Sequence, residues 1–537
     1  MCATNDTANV PADGLGPVAA AVEMRPEPLL ADVSGTHRVR VLGRRVLVER
    51  YAGVSYARFA MGSSGLVEVE VTSPIRTHTI FPAERVASSR VAGTVLTFDL
   101  PAPMSVVVWI DQLVPLFLLS DPLEDDAPVH GMPDVLDVTD FGADPSGRSL
   151  ATTALQAAID HAAGLSGGGT VLLPRGVYRS GTLALRSNVS LYLAPGALLQ
   201  GSADPSDYPI DPGREESAGD ASLPPDVRYH GRTMTFSRLL LVDHATNVRI
   251  GGRGTIDGAG RVLRTQHGIA PNLLRVREST QVTVRAVLFR NAAAWSLHVL
   301  ASSGVAFENV KVINDRTMLN TDGIDVDMSS DVTIDRSFIY TKDDAICVKA
   351  TRNSDLSGDP ARILATNNLV SARDAALKLG SESEAASFSD IRFERNYVFD
   401  SGRAMSVVVR DGATCERVTY RAIQVGPHVD HLIEQVIGVR DPAVALGVIR
   451  DLTFDDVSAP SFARPVSNWT WYAQFRPNRP GPGTAVPVFE GADEAHSVEG
   501  LTLRNVVVNG QHLHDAATAR RVANLSFGPY VRDVTFE

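Results

Sequence analysis

The chain repeats one short apolar run: VTVRAVLF (282–289), VAFENVKV (305–312), VTIDRSFI (332–339), ILATNNLV (363–370), IRFERNYV (391–398) and VTYRAIQV (418–425). Successive runs start 23, 27, 31, 28 and 27 residues apart. Short strands that recur every 20 to 50 residues or so are typical of solenoids. A coil of about 27 residues holds the three strands of a right-handed parallel β-helix, whereas a propeller blade takes about 40 residues. We therefore predict an all-β protein built on a right-handed parallel β-helix.

One segment has a convincing helical pattern, from Ser149 to Ala163, and it ends before Gly164. Its apolar face is formed by Leu150, Ala154, Leu155, Ala158 and Ile159. Apolar residues at this spacing favour an amphipathic helix, and a glycine after the last turn favours its end. We expect this helix to cap the first coil, whose edge would otherwise be unpaired.

The rest of the chain divides by composition. Residues 1–30 are small, polar and Pro-rich, which predicts a disordered lead-in. Residues 31–121 hold short alternating runs such as LVEVEVTS, TVLTFDL and SVVVWIDQ, which predict an N-terminal β-sandwich. Residues 122–133 are acidic and Pro-rich, as in a linker, and residues 134–537 are assigned to the β-helix.

Composition excludes several classes of function. The net charge of −12, from 50 Lys+Arg and 62 Asp+Glu, argues against a nucleic-acid-binding protein. No apolar run approaches the roughly 20 residues of a membrane-spanning helix. Three cysteines form neither a disulfide framework nor a metal-site spacing. The N-terminus lacks the basic and apolar regions of a secretory signal, so we expect a cytoplasmic protein, or a secreted one if a leader has been removed. The sequence carries no signal of oligomeric state.

Acidic residues recur in phase with the strands. The segments are LNTDGIDVD (319–327), YTKDDAICVKA (340–350) and SARDAALKLGSE (371–382). Aligned on the strand that follows, Asp322, Asp344 and Asp374 take the same position, and Arg403 takes about that position on the fourth coil. Neighbouring coils lie about 4.8 Å apart, so these side chains should form a ladder. Asp343 precedes Asp344 directly and should point elsewhere.

Such a cluster suits glycoside hydrolysis. Carboxylates this close repel one another, which should raise at least one pKa toward neutrality. One protonated acid can then give its proton to the leaving oxygen while an ionised carboxylate activates water. A gap of roughly 6.5 to 9.5 Å between acid and base would leave room for that water and give inversion.

The motifs resemble glycoside hydrolase family 28, the polygalacturonases. The resemblance rests on NTDG (320–323) and the Asp343–Asp344 pair, with DVTDFGAD (137–144), GGGTVLLPRGVY (167–178) and GGRGTIDGAG (251–260) in support. It implies a carbohydrate substrate, no metal or organic cofactor, and Asp343 as the general acid. It also implies that Asp322 and Asp344 hold the nucleophilic water, with Asn320 of the same motif beside them.

The chain departs from that family at two places. A Gly-His-Gly is usual one coil on, and here we read Ser381 of KLGSESE in place of the histidine. Of the family's Arg-Ile-Lys, only Arg410 remains, followed by Asp411, which should repel a uronate. The candidates for binding substrate are Asn320, Lys349, Asp374, Lys378, Glu382, Arg403, Arg410 and the loop aromatics Trp469 and Trp471, although the aromatics could equally pack the loop.

Several alternatives stay open. A β-sandwich before a β-helix also resembles glycoside hydrolase family 49, the dextranases and isopullulanases, which leaves neutral α-glucans as substrates. A pectate-lyase-type enzyme would use calcium and lose activity with a chelator. A β-helix that only binds carbohydrate would tolerate Asp343→Asn. We expect an inverting, polygalacturonase-like hydrolase, with exo-action on short oligosaccharides favoured by the absence of an export signal.

Overall fold

The computed structural model describes residues 22–24, 32–86, 88–209, 235–352 and 356–537. Most of these residues form a right-handed parallel β-helix, preceded by a β-sandwich, as the sequence predicted. Each coil contributes a strand to each of three parallel stacks, which we call A, B and C in chain order. Most of the predicted disordered lead-in (1–21 and 25–30) lies outside the described residues.

Stack A contains the first halves of the repeated runs. Its strands are Val135–Asp137, Gly169–Leu173, Val189–Leu193, Thr246–Gly251, Thr280–Arg285, Ser303–Glu308, Ser330–Asp335, Ala361–Thr366, Ser387–Glu394, Thr414–Val425, Val448–Ala459, Val498–Arg504, Val531–Arg532 and Thr535–Phe536. The register within it is regular, with Val282 beside Val305, Val332 and Ile363 on successive coils.

Stack B contains the second halves of the runs. Its strands are Ser146–Leu150, Gly176–Ser180, Ala197–Gly201, Thr255–Asp257, Leu288–Arg290, Lys311–Ile313, Phe338–Thr341, Leu369–Ala372, Tyr397–Val398 and Val507–Val508, which turns back antiparallel to Gln511–His512. The long strands Thr414–Val425 and Val448–Ala459 continue from stack A into stack B.

Stack C completes each coil and is the stack next to the acidic segments. Its strands are Leu183–Leu185, Thr235–Asp243, Ile269–Arg277, Leu297–Leu300, Ile324–Asp327, Ile346–Ala350, Ala375–Ser383, Ser401–Val409 and Val429–Ile437.

Repeated polar contacts fix the turns between stacks. Six successive coils turn from A to B through one left-handed residue with φ of 51 to 64°: Ala286, Asn309, Arg336, Asn367, Arg395 and Ala422. Asn396 Oδ1 accepts the Asn368 amide, and Asn368 Oδ1 accepts the Ser337 amide, so buried backbone donors are satisfied from coil to coil. Inside the coils, Phe393, Tyr420 and Phe454 stack with centroids 4.9 and 5.3 Å apart.

A helix closes each end of the described β-helix. The predicted N-terminal helix spans Thr152–Gly164 and buries Leu155, Ala158, Ile159 and Ala162. Leu150 belongs to a strand and is exposed, so its place in the predicted helix was wrong. The sequence also missed the helix Ala516–Ala523, whose N-cap Asp515 accepts the Thr518 amide. Its apolar pattern is short and is interrupted by Arg520 and Arg521, so the signal was too weak.

The other helical segments are single turns. They are the helix Gly260–Val262 with the π-turn Leu263–His267, and the 3₁₀ turns Ala83–Arg85, Val138–Phe141, Pro205–Asp207 and Trp471–Phe475. Across the described ranges, no helix has the length and apolar character to cross a membrane.

Two sheets form the sandwich. One contains Val22–Met24, Val48–Tyr51, Val54–Met61, His78–Phe81, Ser105–Ile110 and Leu116–Pro122, and the other His37–Val41, Arg44–Val46, Gly65–Val71, Ser89–Ala92 and Val95–Leu100. The strand Val22–Met24 corrects the prediction of a disordered lead-in at these three residues. It pairs antiparallel with Phe59–Met61 and buries Val22, which offsets the cost of ordering it.

The sandwich packs against stack B through an aromatic interface. Phe117 of the sandwich lies 4.8 Å from Phe338 and 5.0 Å from Tyr340, measured between ring centroids. Buried polar contacts join the same surfaces, because Arg58 donates to the Gly254 carbonyl and Lys311 pairs with Asp121. The outer face of stack B is therefore part of a shared core.

We predict that Phe117→Ala lowers the free energy of unfolding by about 3 to 5 kcal/mol, the usual cost of deleting a buried phenyl ring. Denaturant unfolding measures this change. Val466→Ala is the control, since Val466 is fully exposed and its truncation should change stability by less than about 0.5 kcal/mol. Equal stability of the two variants would contradict a shared core.

Candidate active site

The acidic site lies where stack B turns into stack C on two neighbouring coils. Ile324 pairs with Ile346, so Asp322 and Asp344, each two residues earlier, take the same position as predicted. The Gly323 amide donates to the Asp344 carbonyl at 2.9 Å. A Cβ at Gly323 would lie 2.3 Å from the Ala345 carbonyl oxygen, so this close approach requires glycine.

The three predicted catalytic carboxylates meet here. One oxygen each of Asp322, Asp343 and Asp344 lies within 4.8 Å of the others. Asp322 and Asp344 are buried, whereas Asp343 is half-buried. Asp343 accepts the Asn320 amide at 3.2 Å and the Asp344 amide at 3.1 Å. The cluster is tighter than the roughly 6.5 to 9.5 Å between acid and base that we expected.

Lys349 holds one side of the cluster. Its Nζ lies 2.9 Å from Asp322 Oδ2 and 2.9 Å from Asp325 Oδ1, and 3.8 Å from the centroid of the Trp295 ring. Burial raises the pKa of Asp322 well above its ordinary value, although Lys349 opposes this shift. Burial also raises the pKa of Asp325 to about 7. Burial lowers the pKa of Lys349, but the two carboxylates outweigh it and the net pKa is raised.

Lys378 holds the other side. Its Nζ donates to Asp344 Oδ2 at 2.7 Å and to the Tyr472 hydroxyl at 2.9 Å. The second Asp344 oxygen accepts the Ala375 amide at 3.2 Å. Lys378 is buried and not on a solvated face, so it orients Asp344 and Tyr472. Burial lowers the pKa of Lys378, but Asp344 outweighs this and the pKa is raised.

The register corrects the predicted position of Asp374. Ile346 pairs with Leu377, so Ala375 aligns with Asp344, and Asp374 falls one coil on from Asp343. In the same register, the residue that lies one coil beyond the Asp343–Asp344 pair is Asp374 and not Ser381. Arg403 pairs with Ala375 and thus takes its predicted place in the ladder. It forms ion pairs with Asp374 and with Glu434, the latter at 3.0 Å.

A second charged cluster surrounds Glu382. Its carboxylate lies 3.1 Å from Arg440 and 4.0 Å from both Arg410 and Lys349. Burial raises the pKa of Glu382, but these cations outweigh it and the net pKa is lowered. Asp411 accepts the Ser383 amide and pairs with Arg440 at 3.3 Å, so this cation offsets its charge, and the repulsion of a uronate stays a prediction.

The aromatic turn Trp471–Phe475 covers Arg410, which is 2% exposed. The guanidinium lies 4.2 Å from the Phe475 centroid and 5.9 Å from that of Trp471. Arg410 therefore does not offer the accessible contact predicted for it. Trp471 is 37% exposed at the surface of this turn, whereas the Trp469 indole donates to the Pro480 carbonyl and packs the loop.

Sequence reasoning missed three parts of the site. Tyr472 reaches Lys378 from a loop 94 residues further along the chain, which no local pattern reveals. Arg440 reaches Glu382 from a distance of 58 residues. Asp325 had a signal, because it is a charged residue inside the strand Ile324–Asp327, all of whose residues are buried.

The three carboxylates also have the spacing of metal ligands. Their surroundings do not fit a divalent cation, because the ammonium groups of Lys349 and Lys378 already neutralise Asp322 and Asp344. We assign them no metal.

Comparison with known proteins agrees with this fold. Residues 228–425 match the model of Glycosyl hydrolases family 28. A "Probable polygalacturonase" from Vitis vinifera is 27% identical over 277 residues, covering 48% of this chain and 53% of that protein. The chain thus spans about half the length of that curated relative. These matches confirm the resemblance to family 28.

Two solved structures show the fold alone, because identity to each is low. An exopolygalacturonase from Thermotoga maritima has a TM-score of 0.55 at 19% identity, over 72% of this chain and 88% of that one. Dex49A from Penicillium minioluteum has a TM-score of 0.53 at 12% identity, over 96% of each chain. The second likeness extends over the sandwich as well as the β-helix.

We predict that Lys378→Met lowers the free energy of unfolding by about 3 to 5 kcal/mol, because it leaves the buried Asp344 carboxylate without its cation. Lys342→Met is the matched control at a half-buried lysine of the neighbouring turn and should cost less than about 1 kcal/mol. Chemical denaturation of both variants measures the difference. Similar losses would contradict the pairing of Asp344 with Lys378.

Proposed function

We propose that the protein is an inverting glycoside hydrolase that acts on galacturonide oligosaccharides. The observation that carries the proposal is the half-buried Asp343 carboxyl beside two buried carboxylates, each held by a lysine. Asp343 is the only one of the three that is partly open to solvent, as a proton donor to a substrate must be.

In the proposed reaction, Asp343 gives its proton to the glycosidic oxygen as the bond to the anomeric carbon breaks. Asp322 and Asp344 hold one water between them, and its oxygen attacks the anomeric carbon while its proton passes to this base side. Neither lysine takes part in proton transfer. They orient the two carboxylates.

One observation favours inversion although the short spacing does not. Carboxyl groups roughly 5 to 5.5 Å apart are typical of retaining enzymes, so the proposal of inversion rests on the ion pairs and not on the distance. A nucleophilic carboxylate must be free to form a bond to carbon, whereas Asp322 and Asp344 each bond an ammonium group. Two such fixed carboxylates are better suited to binding a water than to displacing the leaving group.

The galacturonide substrate and exo-action are supported by the relatives. The matched family model, the polygalacturonase from Vitis vinifera and the exopolygalacturonase structure point to this class of substrate. One observation favours neutral α-glucans as a second candidate, because Arg410 is covered by Phe475 and Tyr472 and is removed from contact with a substrate carboxylate.

We predict that Asp343→Asn lowers kcat about 10²- to 10⁴-fold, the usual contribution of a general acid, with little change in thermal stability. The measurement is the time course of products from galacturonide, rhamnogalacturonide and isomalto-oligosaccharide panels, resolved by chromatography. Monosaccharide as the first product from galacturonides supports exo-action.

Asp331→Asn is the matched control, an exposed aspartate of the strand Ser330–Asp335 that pairs with Arg362. It should keep the wild-type rate. Release from isomalto-oligosaccharides alone would replace galacturonides with the neutral substrate. A wild-type rate for Asp343→Asn would refute the general acid.

We predict that the first product carries the anomeric configuration opposite to that of the bond cleaved. Proton NMR, recorded within the first minutes before mutarotation, distinguishes the two anomers. Release of the same anomer would contradict the shared-water mechanism and would make one carboxylate a nucleophile.

A further inference from the structure

We propose that Asp325 is a positioning residue that acts through Lys349. Because Asp325 and Asp322 share the same ammonium group, Asp325 holds Lys349 in place. It also keeps Asp322 a stronger base than Asp322 would be if it were the sole partner of Lys349. This inference rests on the proposed function, which assigns Asp322 to the base side. It adds a residue that touches neither substrate nor water.

The geometry is a bridge in which one ammonium group lies between two carboxylates. Lys349 Nζ lies 2.9 Å from one oxygen of Asp322 and 2.9 Å from one oxygen of Asp325. The face of Trp295 closes the site at 3.8 Å from the ammonium. All three charged side chains are buried, so water does not screen their interactions. One cation therefore serves two carboxylates.

Asp325 is poorly suited to a purely structural role. Its Oδ2 is buried and accepts no hydrogen bond from any described residue. A buried carboxylate oxygen without a donor costs stability. Its neighbour Asp327 is the opposite case, because it accepts the Thr351 amide at 2.9 Å, the Thr351 hydroxyl at 2.7 Å and a contact from His298 at 3.0 Å.

The charges around the bridge come from four strands or turns. Asp322 faces Lys349, Asp325 and the Asp343–Asp344 pair. Asp325 also interacts electrostatically with Asp344 and Asp327. Lys349 interacts in the same way with Cys347 and Glu382. From the preceding strand, His298 lies beside Asp325 in the register and contacts Asp327.

The sign of the effect follows from these charges. The negative charge of Asp325 raises the pKa of Asp322, and Lys349 lowers it. Removing the Asp325 charge leaves Lys349 to Asp322 alone, so the pKa of Asp322 falls. Asp322 then stays ionised to lower pH but is a weaker base. Removing the Lys349 charge does the reverse.

The first readout is the pH dependence of kcat with the substrate that the wild-type enzyme cleaves. Asp325→Asn should move the acid limb down by about one pH unit or more and lower the plateau, as expected for loss of a nearby like charge. Lys349→Met should move the acid limb up. Asp327→Asn is the matched control, an equally buried aspartate of the same strand, and should leave the limb in place.

The second readout is the titration of the Asp322 carboxyl carbon by NMR, assigned with Asp322→Asn, which needs no substrate. If the wild type cleaves no sugar, the proposed function fails while this titration still tests the bridge. A shift down in Asp325→Asn and up in Lys349→Met supports the proposal. An unshifted Asp322 titration in Asp325→Asn overturns it. If Asp325→Asn does not fold, the same titration in Asp325→Ser, which also removes the charge, decides.

Discussion

Two of the three clustered acids form an ion pair with a lysine one coil further along the β-helix, Asp322 with Lys349 and Asp344 with Lys378. Asp374 pairs in the same way with Arg403, so these pairs span four successive coils. Neighbouring coils lie about 4.8 Å apart, which brings such side chains within contact distance. The two lysines offset part of the repulsion within the cluster, and two carboxylates can therefore be buried beside the half-buried Asp343.

Other parts of the chain complete the burial that this arrangement needs. The loop that carries Tyr472 places a hydroxyl on Lys378, and the Trp471–Phe475 turn covers Arg410. The sandwich covers the outer face of stack B through Phe117 and its neighbours. Ion pairs in such a low-dielectric setting are strong when satisfied and costly when one partner is removed. Catalytic geometry and stability are therefore linked through the same contacts.

The repeated strands and the acids in phase with them could be predicted from the sequence, whereas the irregular register beside Asp374 could not. The fold followed from apolar runs of near-constant spacing, and Asp322 and Asp344 were aligned because the strands that follow them pair residue for residue. Asp374 was placed one residue out of phase, since aligning segments cannot detect that Ile346 pairs with Leu377 and that a register shift follows Val348.

Contacts from distant segments were beyond prediction. Tyr472 and Arg440 reach the site from loops whose paths depend on tertiary packing. The burial of Lys349 and Lys378 was also missed, because lysine on a strand usually faces solvent. Here both lysines are buried, and each forms an ion pair with a carboxylate.

The role of Asp343 as proton donor to the leaving group can be measured by comparing two substrates in Asp343→Asn. One is the natural oligosaccharide, and the other is the glycosyl fluoride of the sugar it releases, whose departing fluoride needs little protonation. We expect Asp343→Asn to lose much of its rate on the oligosaccharide and far less on the fluoride, whereas Asp344→Asn should lose rate on both. Equal losses on the two substrates in Asp343→Asn would contradict the assignment.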